Sequence, residues 1–470
     1  MEIPIIGQTG QEGFYPVNFY FHPELENGGA GLVGTPGYAL WSTVVAAGGI
    51  VRGLWDMDGV LYAVVGSAVY YFTGTTAVAC TGALLTTTGI VQMVDNGTQI
   101  MIVDGLHGYY VSAHVVTEIA DADFIIPTSL TFQDGYGIVT ESGTGKIWIS
   151  GINDFTTWDA LDYTTAEAEP DDAIGLLSDH REIWVFGSQG TETYYNSGNA
   201  DFPFERIAGG YIERGIGAAL SPVKADNAII WLSDKKQVIK TMGPGQSPQV
   251  ISTPQLHKEF EGYASVSDAF AWPMDFGGFT WYVINFPTGN KTWVYNLATG
   301  RWHQWASFSA GTDIRHPANC YVYHSGKHLI GHWQDGCLYE VNSDYYTNNG
   351  NTFRSIARFP MVIKEGKRIF HHKLQMDFKA GVGLVSGSGS DPQAMLRWSD
   401  DRMRTWSNEH WASIGKIGEY GSRAIWRRLG QAFTRNYEVS ITDPIERVIY
   451  GVYLNPDMED DLLRKRERNA

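Results

Sequence analysis

Cysteine is nearly absent from this chain. Only Cys80, Cys320 and Cys337 occur, an odd number with no C-x-x-C pair, so neither a disulfide framework nor a zinc knuckle organises its 470 residues. Free, buried thiols are expected. The opening residues, MEIPIIGQTGQEG, lack a basic region followed by an apolar core, which argues against a secretory signal and for folding in a reducing cytoplasm. Uninterrupted apolar runs are missing too. Residues 27–51 and 59–94 carry no charge, yet the first holds seven glycines and Pro36, and Gly66, Gly74, Gly82 and Gly89 break the second. A membrane span needs about 20 consecutive apolar residues, so both stretches read as buried strands with turns and no membrane insertion is expected.

Basic residues are the scarcer charge, 34 Lys and Arg against 51 Asp and Glu. The deficit lies in residues 1–350, with 14 basic against 36 acidic side chains, whereas residues 351–470 hold 20 against 15. A body this acidic repels nucleic acid and offers no clustered lysine and arginine to grip a phosphate backbone.

What the chain does have is glycine, 54 residues, and aromatics at 13%. That mix suits many short strands joined by tight turns. No segment keeps a helical apolar period for long. Instead a hairpin pattern recurs seven times, beginning with LWDMDGVLYAVVGSAVYYF (54–72) and IVQMVDNGTQIMIVDGLHGYYV (90–111) and ending with CYVYHSGKHLIGHWQDGCLYEV (320–341). Asn96-Gly97 is a strong turn signal because both residues tolerate positive φ. Repeats spaced by about 35 to 55 residues are on the scale of propeller blades. The fold class is therefore all-β, with a six- or seven-bladed β-propeller over residues 50–345 and an N-terminal closing strand or cap over 1–49. Past residue 345 apolar and polar residues alternate, as in IFHHKLQMDF (369–378) and YEVSIT (437–442), which predicts a C-terminal β-sandwich module over 346–455. Residues 456–470 form a charged tail.

Several short motifs suggest chemistry, each with a plainer reading beside it. RWSDDRMRTWSNEHW (397–411) contains Ser399, Asp401, Thr405 and Trp406 at the spacing of the Asp-box turn of sialidases. Such a turn is a structural device in which Ser and Asp bond nearby backbone N–H groups. Met403 stands where glycine usually supplies positive φ. ESGTGKIW (141–148) resembles a phosphate loop, but Thr140 and Ile147 fill places that need glycine and a hydroxyl, so it is expected to be a hairpin tip. His324 and His328 are expected to meet across the Ser325-Gly326 turn, with His332 further along; polar strand positions are favoured over a metal site. His371 and His372 alternate on a strand and cannot face one ion. The sequons at Asn96 and Asn290 read as turns. No catalytic residue, cofactor-binding residue or metal ligand is nominated.

Longer runs carry a resemblance. GTPGY (34–38), VRGLWDMDGVLYAVVG (51–66), DNGTQIMIVDG (95–105), TTWDALDYTTAEAEPDD (156–172), NSGNADFPFERI (196–207), VSDAFAW (266–272), KHLIGHWQDGCLYE (327–340) and the 397–430 stretch are similar to the packaged-DNA stabilisation, or tail-hub, proteins of short-tailed bacteriophages. The family usually has glycine where Met403 stands. The resemblance implies a non-enzymatic structural protein of the virion tail, assembled in the host cytoplasm as a hexameric ring, without cofactor. Its implied partners are the portal-adaptor protein, a tailspike or fibre, a tail plug or needle, and viral double-stranded DNA sliding through the channel without sequence-specific contact. The basic cluster Arg464, Lys465, Arg466 and Arg468 is a candidate partner interface. A propeller-type glycosidase or a glycan-binding tail adhesin is the alternative reading.

Overall fold

The computed structural model describes residues 2–3, 15–26, 29–45, 49–166, 169, 171–199 and 202–455. Two compact units share the chain: one comprises Tyr38–Asn290 and Arg315–Asn342, the other Met1–Gly37, Lys291–Ile314 and Ser343–Ala470.

The first unit is a ring of antiparallel sheets. Five of them are four-strand meanders in sequence order, covering 51–79, 92–118, 127–165, 173–206 and 223–250. A further hairpin pairs Phe270–Phe276 with Phe279–Phe286. The last sheet is built from Ala318–His324, Lys327–His332 and Gly336–Asn342, and its fourth strand is Gly37–Val45 from the N-terminal region. Seven radial positions thus surround the middle, six of them occupied by complete four-stranded sheets within this unit. The fold is the β-propeller that the repeats predict, and the closing strand joins the two ends of the ring.

Burial between neighbours holds the ring together. Tyr62, Val64 and Val69 of the first sheet pack with Ile100, Ile102 and Tyr109 of the second. Trp184 and Phe186 of the fourth pack with Ile229 and Trp231 of the fifth. Both faces of each sheet are therefore apolar, which accounts for the near-continuous hydrophobic runs in these strands. Polar links complete the circuit: Tyr282 donates to Ser221 O at 3.0 Å, Asn285 Nδ2 to Ala318 O at 3.1 Å, and Asn319 Nδ2 to Val51 O at 2.9 Å. Arg52 lies fully buried between the first two sheets, where its guanidinium donates to Gly66 O, Thr86 O, Thr86 Oγ1 and Gly89 O.

The second unit is a β-sandwich. One sheet runs in the order Phe19–His22, Gly31–Gly34, Val448–Leu454, Lys373–Phe378, Ala424–Arg427; the other holds Ser355–Arg358, Thr434–Ile441, Gln393–Ser399 and His410–Ser413. Phe19, Leu374, Met376 and Trp426 from the first sheet face Leu396, Tyr437, Val439 and Ile441 from the second in one core.

Sequence boundaries at 49 and 345 differ from these units. The N-terminal region divides at Gly37, with its first two strands entering the sandwich sheet and its third the propeller. Lys291–Ile314, inside the expected propeller stretch, clusters with the sandwich unit. The cause is backbone pairing: Asn18 N–H donates to Gln304 O at 2.9 Å, Gln304 N–H to Pro16 O at 3.0 Å, and Val17 and Ile356 exchange both bonds. Residues 456–470, with Arg464, Lys465, Arg466 and Arg468, lie outside the described residues.

Candidate interaction surfaces

The Asp-box-like turn closes on itself. Ser399 Oγ donates to Asp401 Oδ1 at 2.7 Å and accepts Met403 N–H at 2.8 Å. Asp401 also accepts from Arg404 N–H at 3.0 Å, Thr405 N–H at 2.9 Å and Thr405 Oγ1 at 2.6 Å. Four donors on one carboxylate, the Thr405 hydroxyl foremost, hold Asp401 well below the usual carboxylate range. The Arg397 guanidinium lies over the Trp406 ring, 4.8 Å from its centroid. The motif thus spends its polar groups on the turn. Met403 itself adopts φ 65°, beside Arg402 at 59°.

A charged network next to this turn escaped sequence reading. Glu438, 2% exposed, accepts from Arg358 Nε at 2.6 Å and Arg397 Nε at 2.5 Å. Arg435 forks onto Asp400 at 2.6 and 2.8 Å. The only signal was alternation of charged with apolar residues in LRWS and TRNYEVS.

The three histidines are not brought to one point. His324 Nδ1 bonds the Asp56 carboxylate, His328 Nδ1 pairs with Tyr321 Oη at 2.9 Å, and His332 Nδ1 accepts Gln334 N–H at 3.0 Å. The expected meeting of His324 and His328 across the turn is corrected by register: His324 opposes Lys327 and His328 opposes Tyr323, which puts them on opposite faces. Among the described residues no group of three or more His, Cys, Asp or Glu could hold a metal ion. His371 is buried and His372 exposed, but the expected strand placement is corrected: both lie in the link between the strands Ile369–Phe370 and Lys373–Phe378. Residues 141–146 form the tip of a hairpin in which Lys146 Nζ sits 4.5 Å from the Tyr163 ring centroid. All three cysteines are free, and no described helix is long and apolar enough to cross a membrane.

One edge of the propeller unit is acidic. The first strands of neighbouring sheets lie against one another, lining the middle of the ring. Near the turn that ends the first strand of six of the seven sheets stand Asp56, Asp95, Asp134, Asp179, Asp226 and Asp275; the seventh, Ala318–His324, ends without a carboxylate. Tight turns recruit aspartate because its side chain bonds its own backbone and tolerates positive φ, as Asp58, Asp134 and Asp226 do here. Six repeats of one local requirement thereby gather negative charge on one face.

A cavity of about 270 Å³ opens on that face between the fourth and fifth sheets. Asp179, His180, Glu182 and Trp184 line one side, Asn227, Ile229, Met242, Gly243 and Pro244 the other. His180 and Arg181 form the two-residue turn between Asp179 and Glu182, with φ 48° and 64°. His180 Nδ1 lies 2.7 Å from Asp179 Oδ2, a contact that raises the imidazole pKa. Burial, then the neighbouring Asp179 charge, raises that of Glu182. Arg181 turns away to Asp134 at 3.3 Å. Sequence reading missed this site; its one trace was four ionisable residues in a row, DHRE.

Comparison with known proteins bears on the whole chain. No curated protein matches it. Among solved structures it is similar to the computationally designed Ika8 protein, at 8% identity and TM-score 0.42, covering 64% of this chain and 99% of that one. It is similar to BamB from Moraxella catarrhalis at 9% identity and TM-score 0.42, over 66% and 91% of the two chains. The Neurospora crassa Pan2 WD40 domain matches at 10% identity and TM-score 0.40, over 62% and 89%. Two family models match the sequence, the β-propeller of bacteriophage P22 Gp10 over residues 1–346 and its β-sandwich over residues 356–455. The chain accordingly belongs to the bacteriophage P22 Gp10 family, whose members are structural proteins of the phage particle.

Proposed function

We propose that this protein is a tail hub, docked below the portal-adaptor ring of a short-tailed phage. There it lengthens the DNA channel, helps retain the packaged genome and offers attachment to a tailspike or fibre and to a plug or needle. Six copies form the ring, assembled in the host cytoplasm and located in the virion tail. The single observation behind this reading is the family match along both units, 1–346 and 356–455. The acid excess of residues 1–350 supports it, since a wall poor in lysine and arginine lets DNA slide without phosphate contacts. The protein acts without catalysis in this reading. The basic residues Arg464, Lys465, Arg466 and Arg468 meet an acidic neighbour in the assembly.

Imaging purified particles with this subunit located tests the placement; a hexameric density between portal and spike is expected, and particles lacking the chain would overturn it. Deleting residues 456–470 should weaken ring or tail assembly, and unchanged assembly would remove the tail from the interface. Incubation with sialylated or capsular glycans should release no sugar. Stable binding of the isolated subunit to cell-surface glycan would favour an adhesin instead.

A further inference from the structure

We infer that the acidic stretch at residues 457–463 docks on a basic, aromatic end of the chain's own sandwich unit and covers it. This goes beyond the hub reading and does not depend on it.

The receiving surface is built on a short ladder, Ile369–Phe370 against Gln431–Ala432. Neighbouring strand residues face opposite ways. Ile369 and Ala432 turn inward, whereas Phe370 is 57% exposed and Phe433, just past the ladder, 52%. Ile363, paired with Thr434, is 56% exposed. Cations surround these apolar side chains. The Arg368 guanidinium lies 5.0 Å from the Phe433 ring centroid. Arg428 N–H donates to His372 O at 2.9 Å, and the His372 ring stacks on Phe370. Arg402 is exposed on the turn whose Asp400 carbonyl accepts Thr434 Oγ1 at 3.3 Å. Glu365 pairs with Lys367 at 3.3 Å, but Lys364, Arg368, Arg402 and Arg428 have no ion pair among the described residues. Exposed aromatics interleaved with arginine have the composition of a contact surface.

The chain itself supplies the complement. Asn455 is fixed at this end: its Nδ2 donates to Phe370 O at 2.7 Å, and its Oδ1 accepts His372 N–H at 2.9 Å and Lys373 N–H at 3.0 Å. The sequence then continues as PDMEDDLL (456–463), outside the described residues. Asp457, Glu459, Asp460 and Asp461 oppose the cations in sign, and Met458, Leu462 and Leu463 suit the exposed Phe370, Phe433 and Ile363. From Asn455 to Leu463 the chain can reach about 26–29 Å, several strand spacings of about 4.8 Å, which is enough to cross the ladder and the neighbouring turn. Tethering raises the local concentration to about millimolar, so weak pairs suffice. The basic residues from Arg464 onward are repelled by the same cations, which sets the end of the contact at Leu463.

Zero-length carbodiimide cross-linking of the full chain at low salt, read by peptide mass spectrometry on an equal mixture of isotope-labelled and unlabelled protein, tests this. Links from Asp457, Glu459, Asp460 or Asp461 to Lys364 or Lys367 are expected within one chain, and high salt should abolish them. The Glu365–Lys367 link is the internal control of reactivity. Neutralising the stretch with Asp457→Asn, Glu459→Gln, Asp460→Asn and Asp461→Asn should speed acetylation of Lys364 about fivefold or more, with an unchanged melting temperature. Arg368→Glu with Arg428→Glu should remove the links; should that variant unfold, the neutralised stretch carries the comparison. Links joining labelled to unlabelled chains would give the surface to the tail of a second copy and overturn the inference. Links to other lysines only, control links alone, or an unaltered acetylation rate overturn it as well. None of these outcomes bears on whether the chain is found in phage particles, which imaging decides.

Discussion

Asn18 and Ala306, 288 positions apart, bond each other as two strands would: Asn18 Nδ2 donates to Ala306 O at 2.9 Å, and Ala306 N–H donates to Asn18 Oδ1 at 2.8 Å. The same amide donates to Arg354 O at 2.7 Å. One buried side chain with φ 55° thereby ties the N-terminal, 291–314 and C-terminal segments of the sandwich unit. Asn18→Asp presents carboxylate oxygens to two carbonyls and should cost roughly 2–5 kcal/mol. Asn18→Gly keeps the backbone conformation and should cost less. Denaturant midpoints of the three proteins check the order, and equal midpoints would show that the amide is dispensable.

Arg52 plays a comparable part in the propeller unit. Burial lowers its pKa, and the Asp104 charge opposes that shift. Thr86 Oγ1 links the two, donating to Asp104 Oδ2 at 2.5 Å. Arg52→Met strips partners from the carbonyls of Gly66, Thr86 and Gly89 and leaves Asp104 without its cation, an expected loss of about 3–5 kcal/mol. Arg52→Lys should recover only part, because an ammonium cannot reproduce the planar fork. Thermal melts decide whether the clasp matters.

The sandwich unit should weaken in acid through His371. Its ring is buried, bonds Tyr437 Oη at 2.6 Å, and is pushed down to about 4 by burial and then by Arg435. The unfolded chain binds the proton more readily, near the ordinary value of 6.5. Stability is therefore complete above that value and declines as pH falls from about 6.5 towards 4. His371→Gln should flatten this part of the stability profile. A slope unchanged by the substitution would assign the acid sensitivity to other groups.

Met403→Gly is expected to stabilise. The methionine holds φ 65°, a left-handed conformation costing an L-residue about 1–2 kcal/mol, part of which returns as the larger chain entropy of glycine. A net gain of about 0.5–1 kcal/mol should appear in the unfolding midpoint. No gain would mean that the methionine side chain compensates by packing.

Local rules carried far in this chain. Val, Ile, Tyr and Trp runs broken by Asp-Gly and Asn-Gly pairs announced hairpins, their recurrence announced blades, and the Ser399–Asp401 spacing announced its turn, because each depends on neighbours within a few residues. The split of the N-terminal region at Gly37 and the separation of His324 from His328 depend on pairings that local spacing does not specify. The cavity beside Asp179 belongs to the same class. Amino-acid order alone determined strands, turns, repeat count to within one and the acidic balance; which segments share a sheet, and which carboxylates converge, was decided only in three dimensions. Strand partners are chosen by burial and backbone hydrogen bonding between distant segments, and neither leaves a pattern at short range.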